Sequence, residues 1–159
     1  MSSDLYVHTP AHLLESRMPF LLNRSLQPEV ACQEVSIDQL DFIQIKDCVA
    51  QLKEKGLTTT LHAPFSGFNP GSSKKRLQKT AHSLCEQSLK LADVLNARCI
   101  VFHPGIPYQA TEKVQHSLLE NALNFWPDYI KQAKQIGTLI MMENIYEPSS
   151  VIYQQLFAE

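Results

Sequence analysis

The sequence predicts an α/β protein in which about five βα units form a parallel sheet. Short apolar segments alternate along the chain with longer amphipathic ones, which is the pattern of repeated βα units. The composition is globular, with 44% hydrophobic and 19% charged residues, so the 159 residues can bury a core as a single domain, residues 1–159. Polar side chains that can bind metal or move protons also stand at the ends of most predicted strands.

The first two βα units are the least regular part of the chain. The five predicted strands cover residues 5–8, 29–32, 58–63, 99–103 and 138–144. After the first strand we expect a helix within residues 11–24, which Pro19 shortens or kinks. After the second strand, Ser36 and Gln39 form a capping-box pair, which predicts a helix from there to Lys55.

The next two helices have clear apolar stripes at helical spacing. The stripe of the third helix consists of Leu77, Ala81, Leu84, Ser88, Leu91 and Leu95. The stripe of the fourth consists of Val114, Leu118, Ala122, Phe125, Tyr129, Ala133 and Ile136. Thr111 is placed to cap the fourth helix, and Pro127 within it predicts a kink or a restart. A further helix is expected to begin in residues 149–159.

Charge and hydropathy exclude several classes of function. A formal charge of −2 and a pI near 6.3 give no general attraction to nucleic acid or to anionic membranes. No apolar run reaches the length of a membrane span, and the first residues do not resemble a secretory signal. We therefore expect a cytoplasmic protein, in which the four scattered cysteines are reduced and packed in the core.

Four of the five predicted strands end in a residue that can bind metal or transfer a proton: His8, His62, His103 and Glu143. The carboxyl ends of parallel strands lie on one side of a sheet, so these residues are expected to converge there. Alternate side chains share a face of a strand. On this basis Tyr6 lies with His8, Thr58 and Thr60 with His62, Cys99 and Val101 with His103, and Leu139 and Met141 with Glu143.

Two imidazoles and a carboxylate suit Zn²⁺ or Mn²⁺. A single histidine at a strand end is more often a packed or hydrogen-bonded residue than a ligand, so the argument depends on the coincidence of several. His12, His82 and His116 lie on helical stretches and are expected to be solvated or packed. The Lys74–Arg76 run is expected to be a solvated first helical turn, the alternative being a grip on a phosphorylated substrate.

Three motifs carry a resemblance to a known superfamily. LHAPF at 61–65, IVFHPG at 100–105 and MENIYE at 142–147 resemble the xylose isomerase-like barrels, which include sugar-phosphate isomerases and epimerases and the endonuclease IV group of DNA-repair enzymes. The resemblance implies a parallel (β/α) barrel of the TIM type, incomplete, because strands six to eight are not in this sequence.

The resemblance also implies roles for particular residues. His62, His103 and Glu143 match metal ligands, with Zn²⁺ or Mn²⁺ as the cofactor, and Glu143 and His103 match catalytic positions, the glutamate also moving a proton in the epimerases. His8 matches a histidine that lines the pocket, and Asn144, Tyr146 and Glu147 stand beside the ligand strand as candidate substrate contacts.

The leading functional hypothesis is a metal-dependent sugar or sugar-phosphate isomerase or epimerase. One alternative is an endonuclease IV-like phosphodiesterase acting on abasic DNA, which an acidic chain disfavours. Another is a truncated, non-catalytic fragment or split half that associates with another chain. Because part of the barrel wall is missing, we expect the isolated chain to be inactive or weakly active, and we expect it to form a homo-oligomer.

Overall fold

Five parallel strands form one sheet in which each strand pairs with its neighbours in the sequence. The computed structural model describes residues 5–33, 35–107, 110–144 and residue 154. The strands are β1 (Tyr6–Pro10), β2 (Gln27–Ala31), β3 (Thr60–His62), β4 (Cys99–Phe102) and β5 (Leu139–Met142), in the order β1-β2-β3-β4-β5. This confirms the predicted parallel α/β sheet of about five βα units, in the sequential strand order expected of a TIM-type barrel.

Four α-helices connect the strands. They are α1 (Leu14–Arg24), α2 (Phe42–Glu54), α3 (Lys75–Leu95) and α4 (Glu112–Gln135), with short 3₁₀ turns at Ala11–Leu13 and Ile37–Gln39. None of the helices in the described ranges combines the length and hydropathy of a membrane span. The helix expected in residues 149–159 lies outside the described part of the chain, apart from Gln154.

The two faces of the sheet differ in burial, as the alternation of side chains predicted. On the helix-covered face, Val30, Leu61, Ile100 and Phe102 are almost completely buried and belong to one core cluster with residues of all four helices. On the other face, here called the lumen face, Tyr6, His62 and Val101 are half-buried and His8 and Met141 are exposed. The chemistry of the strand ends is therefore on the face that the helices do not cover.

Two details of the helix predictions were wrong. The second helix does not begin at the Ser36 capping box: Ile37 is buried in the core, and Asp41 caps the helix instead, its Oδ1 accepting from Ile43 N at 2.9 Å and Gln44 N at 3.2 Å. Val114 is 46% exposed rather than part of the buried stripe of α4.

Both prolines lie inside continuous helices. Of the two outcomes predicted for Pro127, a kink or a restart, the restart does not occur, and α1 likewise continues through Pro19. Both prolines lie on exposed helix positions, where water can bond the carbonyl group that a proline leaves without its helical donor.

Candidate metal site at the carboxyl ends of three strands

Three neighbouring strands bring His62, His103 and Glu143 together. His62 is the last residue of β3, His103 directly follows β4, and Glu143 directly follows β5. Two backbone bonds extend the sheet at this point, from Ala63 N to Val101 O and from Glu143 N to Phe102 O, both 2.9 Å. One ligand atom from each of the three side chains lies within 4.8 Å of the other two.

The two imidazoles point their Nε2 atoms at the same carboxylate oxygen. His62 Nε2 is 2.9 Å and His103 Nε2 3.3 Å from Glu143 Oε2. Zinc bonds of 2.0–2.1 Å in a tetrahedral site place ligand atoms ~3.3 Å apart, so the spacing of this donor set fits a divalent ion. The histidine side chains are 13% and 9% exposed and that of Glu143 is 38% exposed, so the carboxylate is on the open side of the cluster.

Gln33, just after β2, holds the backbone around His62. Gln33 Nε2 donates to Ala63 O at 2.9 Å, and Gln33 Oε1 accepts from Phe65 N at 3.3 Å. His62 Nδ1 lies 3.2 Å from the same Ala63 oxygen and 3.3 Å from Gln33 Nε2. The sequence interpretation missed Gln33, which shares strand parity with Gln27, Glu29 and Ala31 and stands just beyond the carboxyl end of β2, the one strand for which no polar end residue had been predicted.

Phe65 forms an apolar wall beside the two imidazoles. Its ring centroid is 4.7 Å from that of His103 and 6.2 Å from that of His62, and the side chain is 43% exposed. An aromatic ring in this position shields one side of the histidines from water while leaving the Glu143 side open.

The loop after β4 is packed tightly against the loop after β3. At Gly105, where φ is +73°, an added Cβ would lie 2.5 Å from Phe68 O and 2.9 Å from Asn69 Cα. In the loop after β3, Gly71 packs on the backbone of Leu118 in α4. His103, two residues before Gly105, is thus supported by backbone packed on backbone.

The other predicted site residues lie elsewhere. The prediction that His8 ends its strand was wrong, because β1 continues to Pro10. Register pairs His8 with Glu29 and Glu29 with Thr60, two residues before His62, so His8 is outside the cluster. Asn144 is exposed beside Glu143, and Tyr146 and Glu147 lie outside the described residues.

The remaining histidines and the basic run have structural surroundings of their own. His82 Nδ1 is 2.6 Å from Tyr129 Oη, and His116 Nε2 is 3.2 Å from Glu120 Oε1 on the surface of α4. His12 is exposed, and Lys74–Arg76 is exposed at the start of α3, as expected for a solvated first turn.

Comparison with known proteins gives a family and a fold. The family model described as xylose isomerase-like TIM barrel matches residues 28–157. None of the curated protein sequences matches the chain significantly.

Solved structures similar to this one include a Thermus thermophilus protein whose crystal was soaked with ZnCl₂, at 20% identity and a TM-score of 0.83 over 98% of this chain and 62% of that one. A D-tagatose 3-epimerase-like protein is 20% identical, with a TM-score of 0.73 over 97% of this chain and 60% of its own. A D-psicose 3-epimerase from Clostridium cellulolyticum, crystallised with D-tagatose, is 16% identical, with a TM-score of 0.72 over 96% and 59%. The chain thus spans about three fifths of the length of these structures.

Proposed function

The chain belongs to the xylose isomerase-like TIM barrel family, and on that basis we propose that it is a metal-dependent sugar or sugar-phosphate isomerase or epimerase. The observation that carries the proposal is the convergence of His62, His103 and Glu143 within 4.8 Å at the carboxyl ends of three strands. Active sites of TIM barrels lie at this end of the strands. The epimerases among the similar structures support a sugar as the substrate class.

The residues present divide the chemistry between them. His62 and His103 would hold Zn²⁺ or Mn²⁺ through Nε2, with Glu143 as the third ligand. A divalent metal supplies polarisation of a sugar carbonyl or hydroxyl when it is bound. The Glu143 carboxylate, on the open side of the cluster, takes the proton from the carbon next to the carbonyl. The electron pair left on that carbon forms an enediolate; a proton delivered by water to the opposite face inverts the carbon, and Glu143 releases the proton it took to solvent.

Substrate contacts are proposed beside this core. Asn144 is exposed next to Glu143, and Tyr146 and Glu147 follow within three residues. His8 lies on the same face of the sheet, closer than His62 to the amino ends of the strands. Its proposed contact is with a part of the substrate away from the reacting carbon. The His103 ring packs against Phe65, which holds the imidazole in place. The role proposed for His103 is therefore to bind the metal and to polarise the substrate.

The experiment has two parts. Calorimetric titration with Zn²⁺ and Mn²⁺ should give binding to the wild type that is lost in Glu143→Ala and kept in Glu120→Ala, a surface control on α4 with a 65% exposed side chain. Incubation with a panel of ketoses in D₂O, followed by NMR, should give deuterium next to the carbonyl with the wild type and none with Glu143→Gln. Equal deuterium incorporation by both proteins would contradict the role of Glu143 as the base.

We also propose that a second copy of the chain covers the lumen face at its β5 edge. Leu139 and Met141 are 59% and 49% exposed there, and β5 pairs with β4 alone among the described strands. At the other edge Leu5 is 60% exposed beside β1. Parallel pairing of β5 of one copy with β1 of the other, repeated by two-fold symmetry, would close both edges and bury these side chains.

A further inference from the structure

Gln33 is fixed in one orientation by two backbone groups whose hydrogen-bonding roles are unambiguous. The Phe65 N–H can only donate, so the side-chain atom 3.3 Å from it is the Gln33 oxygen. The Ala63 carbonyl can only accept, so the atom 2.9 Å from it is the Gln33 nitrogen. The amide therefore ties the end of β2 to both sides of Pro64 in the segment that follows His62.

The same carbonyl oxygen is the natural acceptor for His62. The three distances among Gln33 Nε2, Ala63 O and His62 Nδ1 are 2.9, 3.2 and 3.3 Å. Seen from Gln33 Nε2, the other two atoms are therefore about 60° apart, whereas the N–H bonds of an amide diverge by ~120°. Gln33 thus cannot make good bonds to both, and its short bond is to Ala63 O.

The two ring nitrogens of His62 face different partners. Nε2 lies 2.9 Å from Glu143 Oε2 on the side of the metal site, and Nδ1 lies 3.2 Å from the Ala63 oxygen. A neutral imidazole that binds a metal through Nε2 carries its proton on Nδ1, and the Ala63 oxygen is placed to accept that proton.

We propose that Gln33 is a positioning residue, which holds the Ala63 carbonyl as acceptor for His62 Nδ1–H and so aims His62 Nε2 at the metal site. The link to metal rests on the proposed function, but the hydrogen bonds do not. Outer partners of ligand histidines typically change metal affinity by ~10–100-fold when removed.

The first test is metal affinity in Gln33→Met, which keeps the length of the side chain and removes its polar atoms. Zn²⁺ affinity should fall ~10–100-fold, with the thermal transition retained. Gln51→Met, on an exposed position of α2, is the matched control and should bind like the wild type. Gln33→Asn, whose amide is one methylene too short to reach both backbone groups, should weaken binding in the same way and decides the matter if Gln33→Met does not fold. Wild-type affinity in a folded Gln33 variant would overturn the proposal.

The second test uses the metal-free protein and therefore stands even if the wild type binds no metal. The Phe65 amide proton, which Gln33 Oε1 accepts in the wild type, should exchange with solvent at least about tenfold faster in Gln33→Met, and the ¹⁵N chemical shifts of the His62 ring should change. Equal Phe65 exchange in the two proteins, or unchanged His62 ring shifts, would refute the role of Gln33. Failure of the wild type to bind metal, with this NMR difference present, would instead reject the proposed function and leave the positioning of His62 by Gln33 supported.

Discussion

Replacing Gly105 by alanine should destabilise the protein far more than the same change at Gly137. The two glycines have nearly the same backbone conformation, with φ of +73° and +74°, which costs an alanine ~1–2 kcal/mol. Among the described residues, no heavy atom lies within 4 Å of a Cβ at Gly137, whereas a Cβ at Gly105 would meet Phe68 O at 2.5 Å and Asn69 Cα at 2.9 Å. These are backbone atoms, so no side-chain rotation relieves the contact.

The size of the difference follows from that contact. Overpacking against atoms that cannot move aside costs ~1–3 kcal/mol. We therefore expect a loss of ~1–2 kcal/mol in Gly137→Ala and ~2–5 kcal/mol in Gly105→Ala. Urea unfolding measures both, with the midpoint shifting and the slope unchanged. Equal losses in the two variants would show that the loops after β3 and β4 are not packed as described, and would remove the support assigned to His103.

Three further outcomes are expected. Phe102→Ala should lower the free energy of unfolding by ~3–5 kcal/mol in urea titrations, because this 1% exposed ring packs on Phe68 and Trp126, whereas Phe20→Ala, at a 45% exposed position, should cost much less. Burial raises the pKa of the Cys32 thiol to about 12, so the thiol ionises at lower pH in the unfolded chain than in the folded one. The free energy of unfolding should therefore fall as the pH rises above about 9, by up to ~1.4 kcal/mol per pH unit for this group. The fall should be less steep in Cys32→Ala. Light scattering across a concentration series should give a mass of about twice 18.0 kDa that Met141→Asp reduces to 18.0 kDa; a constant 18.0 kDa for the wild type would contradict association.

Side-chain alternation was enough to predict which strand residues share the lumen face. The sequence places His62, His103 and Glu143 at the same parity and at the ends of their strands, and the structure brings their ligand atoms together. His8 has the same parity, but parity contains no information about register or about where a strand stops. Because β1 runs on to Pro10, His8 lies within its strand, and the prediction that it ends the strand was wrong.

The residues that the sequence interpretation missed act through backbone groups. Gln33 contacts Ala63 O and Phe65 N, two atoms that every residue type possesses, so no pattern of side chains marks the contact. The prediction of where α2 begins was wrong for a related reason. Ser36 and Asp41 are both good helix caps, and the burial of Ile37, a tertiary effect, decides between them.

The unbroken strand order has a consequence for how the protein forms during synthesis. Every strand pairs with the one made just before it, so the sheet can grow one unit at a time as the chain leaves the ribosome, with no strand waiting for a distant partner. His62, His103 and Glu143 belong to the third, fourth and fifth units, and Glu143 emerges last. A nascent chain therefore cannot bring these three side chains together until β5 has joined the sheet.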